Sequence, residues 1–297
     1  MSTTSDFVYL LMQLLRYRQR NGKRFREELS TPNLAARLTP AELPPKLEKK
    51  FETDRFMVRD HRVFTLASTK DPQSTVSLFF HGGAFIRKAV PLHWGFITRW
   101  LDRFGGTVVF PDYPLAPEYS CAEILPFTEE VYLKIAEKTN PANIILMGDS
   151  SGGGLSFALR QLIRDGGHPA PAHTLLFSPW IDLVMEDPEI DAIEKSDPML
   201  PARELRLAGK AYAGGLDLHD PRVSPIHGNL EGLGSLSLFT GTREILLPGA
   251  RRMRDICAAR GIPLNYFEYP QMIHDWMLLP LPEAGRVLDD IGKIIGK

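Results

Sequence analysis

Asn143-Ile144-Ile145-Leu146-Met147-Gly148-Asp149-Ser150-Ser151-Gly152 contains a change of period that organises the whole chain. The first five residues form a short apolar, β-branched run, as a buried strand requires. After Gly152 the apolar positions fall at Leu155, Ala158, Leu159 and Leu162, which is helical spacing. A G-x-S-x-G pentapeptide between a strand and a helix makes a sharp turn that strains the serine backbone and presents its Oγ above the sheet. Ser150 is therefore the candidate nucleophile. Ser151 cannot be the central serine, because the residue two before it is Asp149 rather than glycine.

Upstream, His81-Gly82-Gly83-Ala84-Phe85 follows another strand-like run, Val76 to Phe80. Bare glycines there let backbone N–H groups turn toward a ligand. Acyl transfer builds negative charge on a former carbonyl oxygen, and fixed N–H donors lower that barrier. The expected oxyanion donors are the backbones of Gly82, Gly83 and Ser151.

Four further runs read as strands: Thr107 to Phe110, Thr174 to Phe177, Leu236 to Thr240 and Asn265 to Tyr269. Helix-period stretches separate these strands, which predicts an α/β architecture: a mostly parallel central sheet flanked by helices. One such helix is expected between the last two strands, where Ala250, Met253, Ile256 and Cys257 recur at helical spacing before Gly261. Residues 1–50 read as an N-terminal helical cap segment that ends in a connector with Pro40, Pro44 and Pro45. The catalytic domain then spans 51–297. A mainly helical cap insertion is expected around 181–225, which lacks a comparable strand and carries prolines at 188, 198, 201 and 221.

His-Gly-Gly after one strand, Asp112-Tyr113-Pro114-Leu115-Ala116-Pro117-Glu118 after the next and Gly-Asp-Ser-Ser-Gly after a third together resemble the hormone-sensitive lipase family of α/β-hydrolases. The resemblance runs from about Ser77 to the C-terminus. It implies an α/β-hydrolase fold with a helical cap, an acid after a late strand and a histidine in a Pro-x-x-x-His context near the end. Here those positions are Glu244 and His274, and Ser150, Glu244, His274 is the chain order of that fold. His274 also lies just beyond a late strand, where its ring can swing over the sheet's edge.

The chain departs from the family pattern in three places. Glu244-Ile245-Leu246 stands where Asp-Pro-Leu is commoner. Asp197-Pro198-Met199-Leu200 spells that motif better, but it falls within the insertion and before the required strand. Ala84 and Ser151 replace a glycine and an alanine, and neither change removes a backbone N–H. In the resembling family the Asp112 segment is a structural turn near the site, and Asp112 is expected to bond amides of the glycine loop.

The resemblance implies a serine carboxylesterase acting on short- to medium-chain acyl esters through a Ser-His-Glu triad and an acyl-enzyme, with no metal or organic cofactor. The same triad would serve an amidase or deacetylase. A non-catalytic ligand-binding receptor on this scaffold is the other alternative, and Ser150, Glu244 and His274 occurring together argue against it. A related serine peptidase would need a large repeat domain, for which this chain has no room. The partner expected is a small-molecule ester, and the resemblance also allows a homodimer through the last helices.

A formal net charge of -1 over 297 residues gives no electrostatic reason to bind nucleic acid. Cys121 and Cys257 have no metal or redox spacing, so two reduced thiols in a cytoplasmic protein is the expectation. No apolar run approaches the ~20 residues of a membrane span. Phe7 to Leu15 has Asp6 before it and Arg16, Arg18, Arg20, Lys23 and Arg24 after it, the reverse of a signal peptide. It reads as a helix with its apolar face on its own protein, while the basic flank leaves contact with an anionic membrane surface open.

Overall fold

The computed structural model describes residues 2–30, 39, 41–69, 71 and 75–297; Pro40 of the connector lies outside them. Eight strands form one sheet: β1 (Glu52–Val58), β2 (His61–Ala67), β3 (Val76–Phe80), β4 (Thr107–Pro111), β5 (Ile144–Asp149), β6 (His173–Phe177), β7 (Leu236–Arg243) and β8 (Asn265–Ile273). Their order is β1-β2-β4-β3-β5-β6-β7-β8. All neighbours from β4 to β8 run parallel, and β1 and β2 are antiparallel additions at one edge.

The central strands are apolar without alternation because both of their faces are covered. Successive side chains point to opposite faces, so Leu78, Phe80, Ile144 and Leu146 enter one core cluster while Phe79, Ile145 and Met147 enter the other. On the first face pack helices α4 (Cys121–Ala136) and α5 (Ser150–Asp165) through Ile124, Phe127, Val131, Leu155, Leu159 and Ile163. On the second pack α3 (Pro91–Phe104) and α9 (Pro282–Ile295) through Phe96, Ile97, Trp100, Val287 and Ile291. Burial of each such side chain contributes about 1.5–3 kcal/mol. Trp100 also satisfies its one polar atom, its indole N–H donating to Ser77 Oγ at 3.0 Å. Helix α8 (Leu247–Arg260) is the expected crossover between β7 and β8, and Gly261 ends it at φ +65° in the left-handed region.

Helices α1 (Thr3–Leu14) and α2 (Tyr17–Ser30) form at the N-terminal end, and α1 does not bury its whole apolar face. Ser5 is buried and Val8, Tyr9 and Met12 pack on the core, whereas Phe7, Leu10 and Leu14 are exposed. Hydroxyls of Ser2 and Ser5 tie α1 to Glu283 at the start of α9. Residues 181–225 carry only two α-helices, α6 (Glu189–Glu194) and α7 (Ala202–Ala213). The remainder is turns, several braced by an aspartate accepting from a backbone N–H two residues on, at Asp187, Asp217 and Asp220. No helix among the described residues is long and apolar enough to cross a membrane.

Parallel neighbours finish together. Phe80 lies beside Gly148, Asp149 beside Phe177, and Phe177 beside Phe239. The loops after β3, β5, β6 and β7 therefore leave from one edge of the sheet, where ligands of open α/β sheets bind.

Candidate active site

Ser150 occupies the turn between β5 and α5 at φ +52°, a left-handed conformation for a non-glycine residue. The flanking glycines are required by close approach. A Cβ on Gly148 would strike the carbonyl of Gly152, and a Cβ on Gly152 would strike the carbonyl of Phe80 on β3. The turn thus folds hard against its own helix and the neighbouring strand.

His274 follows β8. This edge strand runs past the expected end at Tyr269 because a bulge lies opposite Gly241 to Arg243, with Gln271 at φ +62° and its N–H donating to Thr242 Oγ1 at 2.6 Å. After the bulge the strand resumes and delivers His274 to the elbow. Its Nε2 lies 3.0 Å from Ser150 Oγ, and its Nδ1 lies 2.6 Å from Glu244 Oε2. Glu244 is fully buried, and its other oxygen accepts from Ser178 Oγ, Thr240 Oγ1 and Gly241 N at 2.9, 2.9 and 2.6 Å. A carboxylate so fully used as an acceptor accepts a further hydrogen bond from Nδ1–H of His274, which keeps the proton on Nδ1 and leaves the Nε2 lone pair facing the serine.

Asp197, the rival acid, does not reach His274 by a hydrogen bond. Its Oδ1 accepts from Met199 N at 2.7 Å and Leu200 N at 2.9 Å, and its Oδ2 accepts from Ile245 N at 3.0 Å. It ties the insertion to the residue next to Glu244. Burial pushes its pKa up to about 6 against those three donors and the nearby His274.

The N–H groups of Gly82, Gly83 and Ser151 all lie beside Ser150, and none of them is used in a hydrogen bond among the described residues. His81 holds this loop in a way the sequence did not disclose. Burial keeps its ring neutral, lowering its pKa to about 3, and Nδ1–H donates to the Gly82 carbonyl at 2.8 Å. A trans peptide points its C=O and N–H in opposite directions, so fixing that carbonyl aims the N–H of Gly83. The ring stacks on Tyr113 at 4.4 Å, and the Tyr113 hydroxyl donates to the His81 carbonyl at 2.7 Å. Tyr113, not Asp112, braces the glycine loop: the Asp112 carboxylate accepts from Ala41 N at 2.7 Å and so anchors the connector.

Two more ionisable groups adjoin the serine. His93 Nε2 lies 3.3 Å from Asp149 Oδ2. Burial, the largest single effect, would lower the pKa of His93, but Asp149, Asp275 and the Val90 backbone together outweigh it and the net shift is upward. Asp275 sits beside His274, with Oδ2 3.0 Å from Nε2.

A cavity of about 160 Å³ opens over Ser150 and His274. Its floor is the loops just described. Its walls include Tyr17, Asn21 and Phe25 from α2, Met199, Leu200 and Leu205 from the insertion, and Leu278 and Leu279 after β8. Arg87 joins these parts, contacting Glu28 at 2.5 Å and Asn21 Oδ1 at 2.7 Å while its guanidinium lies 3.7 Å from the Phe25 ring centre. A larger cavity of about 460 Å³, lined by Trp180, Asp182, Met185, His227 and Arg252, includes none of Ser150, Glu244 and His274. The cavity over the hydrogen-bonded Ser150 is thus the smaller of the two.

The sequence pattern of the α/β-hydrolase fold matches residues 77–278. An acetyl-hydrolase of Streptomyces hygroscopicus is 30% identical over 221 residues, covering 73% of this chain and 74% of that protein. An esterase of Acinetobacter venetianus is 30% identical over 230 residues, covering 75% and 76%. Among solved structures, a Staphylococcus aureus protein described provisionally as an esterase superposes with a TM-score of 0.84 at 27% identity, covering 89% of each chain. An esterase from the bacterial hormone-sensitive lipase family superposes with a TM-score of 0.78 at 25% identity, covering 93% of this chain and 97% of that one. The chain belongs to the α/β-hydrolase fold family, within its hormone-sensitive lipase group of carboxylic ester hydrolases.

Proposed function

We propose that this chain hydrolyses esters of short acyl groups through Ser150 as nucleophile, His274 as general base and Glu244 as the acid that orients it. The observation that carries the reading is the hydrogen-bonded series Glu244, His274, Ser150, at 2.6 and 3.0 Å, beside three unused backbone donors. Ser150 Oγ attacks the ester carbonyl as Nε2 of His274 takes its proton. The N–H groups of Gly82, Gly83 and Ser151 receive the oxyanion, and Glu244 stabilises the imidazolium. His274 then protonates the leaving alcohol, and water repeats the sequence on the acylated Ser150. In this reading residues 1–50 and 181–225 are the cap of a catalytic domain spanning 51–297.

The acyl preference follows from size and lining. A cavity of about 160 Å³ is well below the roughly 300–1,000 Å³ of pockets for drug-sized ligands. Its leucines and methionine suit a short alkyl chain and leave little space for a fatty one.

Rates on p-nitrophenyl esters from acetate to palmitate, with purified protein and with Ser150→Ala, test both parts. The reading predicts a maximum at the short esters and a loss of roughly 10⁴-fold or more in the variant. A maximum at palmitate would contradict the size argument. Equal rates for wild type and Ser150→Ala would contradict the nucleophile.

A further inference from the structure

The catalytic arrangement just proposed has one contact too many. Nε2 of His274 lies 3.0 Å from Ser150 Oγ and also 3.0 Å from Oδ2 of Asp275. Glu244 already accepts a hydrogen bond from Nδ1–H, so a neutral imidazole presents a bare lone pair at Nε2. A bare lone pair and a carboxylate oxygen at hydrogen-bond distance repel each other. The contact is attractive only with a proton in it, as a carboxylic acid donating to Nε2 or as an imidazolium donating to a carboxylate. Either form holds one proton more than a resting serine, histidine and acid require, and that proton occupies the lone pair needed by Ser150.

The backbone holds Asp275 in this position. It sits at φ +53°, left-handed for a non-glycine residue, with its N–H donating to Ser178 Oγ at 3.3 Å. Among the described residues its Oδ1 is buried without a hydrogen-bond partner, and the side chain's one polar attachment is to His274. The charged groups around it come from every neighbouring element. Asp149 lies at the end of β5, Glu244 in the loop after β7 and His93 on α3; His274 precedes it on its own loop, and Arg87 and Lys88 border the same cavity. Two anions thus face the carboxylate alongside the two histidines.

We propose that Asp275 is a positioning residue that shares a proton with Nε2 of His274, so that this proton must leave before Ser150 can be activated and the enzyme switches on at a higher pH than an ordinary histidine base would set. This rests on Ser150 and His274 being nucleophile and base. The shared proton passes to solvent, leaving an Asp275 carboxylate and an imidazole protonated at Nδ1 only. Nε2 then takes the Ser150 proton as Oγ attacks, and the imidazolium formed lies between two carboxylates. The electrostatics agree in sign. Burial alone would lower the His274 pKa, but Asp275 and Glu244 outweigh it and hold it well above its ordinary value. Burial, with Asp149 and Glu244, pushes Asp275 up to about 7 against the pull of His274. A base with a raised pKa is lost as pH falls through that raised value, so the acid limb of activity moves upward.

The test is kcat/KM for p-nitrophenyl acetate from pH 5 to 9.5, which reports groups of the free enzyme. The proteins are wild type, Asp275→Asn, Asp275→Gly and Ser150→Ala, each checked for native circular dichroism. Asparagine and glycine both accept a left-handed backbone, and neither supplies a carboxylate. The wild-type acid limb is expected above about 7, moving down by about 1 unit or more in both Asp275 variants, as for removal of an adjacent opposite charge. The same limb in wild type and variants, or folded variants inactive at every pH, would overturn the proposal and leave the triad intact. Full activity of Ser150→Ala would instead remove the reading on which it rests. Should neither variant fold, a wild-type limb at or below about 6.5, the ordinary histidine value, overturns it.

Discussion

On one side of the cavity, Gly82, Gly83, Ser150 and His274 stand on turns at the ends of β3, β5 and β8; on the other, Tyr17, Asn21, Phe25, Met199, Leu200 and Leu205 come from α2 and the 181–225 insertion. The strand-end side is fixed by backbone: glycines that no Cβ could replace, a bulge in β8, and a histidine locking a peptide plane. The other side is fixed by polar side chains reaching between elements. Arg18 donates to the Asp197 carbonyl at 3.0 Å, Asn21 donates to the Met199 carbonyl at 2.8 Å, and Arg26 pairs with the buried Glu204. Reaction geometry needs tolerances that packed backbone supplies. A wall that sets substrate size needs only to stay closed, which exchangeable side-chain bonds can do.

Two buried acids, one on each side, let this contrast be broken. Glu244→Ala removes the partner of Nδ1 and strands three donors, and is expected to cost roughly 10³–10⁴-fold in kcat/KM. Asp197→Ala strands the N–H groups of Met199, Leu200 and Ile245, and is expected to cost about 3 kcal/mol of stability with a much smaller loss of kcat. Urea unfolding and steady-state rates on both variants separate the two roles. A stable Asp197→Ala protein as inactive as Glu244→Ala would mean that Asp197 is the working acid.

Asp197 also predicts a pH effect. Its folded pKa near 6 lies above its unfolded value, so its ionised form is disfavoured in the fold. Relative to Asp197→Asn, wild type should lose stability as pH rises from about 4 through 6 and hold that loss above it. Urea midpoints across this range would check it, and a wild-type gain would reverse the sign. The smallest expected effect belongs to the α2 wall. Asn21→Ala breaks the links to Arg87 and Met199 and should raise KM by a few-fold to about tenfold with kcat unchanged. A fall in kcat with constant KM would place Asn21 with the chemistry instead.

The parts legible in the sequence are those where local pattern and tertiary role coincide. β3 to β7 are apolar because both faces are buried, and the elbow carries glycines because its backbone contacts demand them. β1 and β2 are not legible in the sequence for two reasons. Glu52 to Val58 is an edge strand with one fully buried residue, so its composition reads as loop. The tight turn to β2 uses Arg59 at φ +49°, where a hairpin signal would carry glycine or asparagine. The end of β8 was hidden by Pro270, which an edge strand tolerates at a bulge. At the site, Glu244 and His274 were accessible through chain order and motif context. The peptide-locking role of His81 was not, since a buried histidine's partner depends on the loop it folds into. The pairing of Asp275 with Nε2 was likewise invisible, because adjacency in sequence does not reveal that a left-handed residue turns its carboxylate back onto the imidazole.

The central claim is that Ser150, activated by His274, takes the acyl group. A fluorophosphonate ester transfers its phosphonyl group to an activated serine with loss of fluoride and stops there, so intact-mass and peptide mass spectrometry of the treated protein reads the nucleophile directly. The account predicts one adduct per chain, on the peptide containing Ser150, formed fully in wild type and in Asp197→Asn, strongly slowed in Glu244→Ala and absent in Ser150→Ala. An adduct on another residue, or one that forms as fast without Ser150, would contradict it.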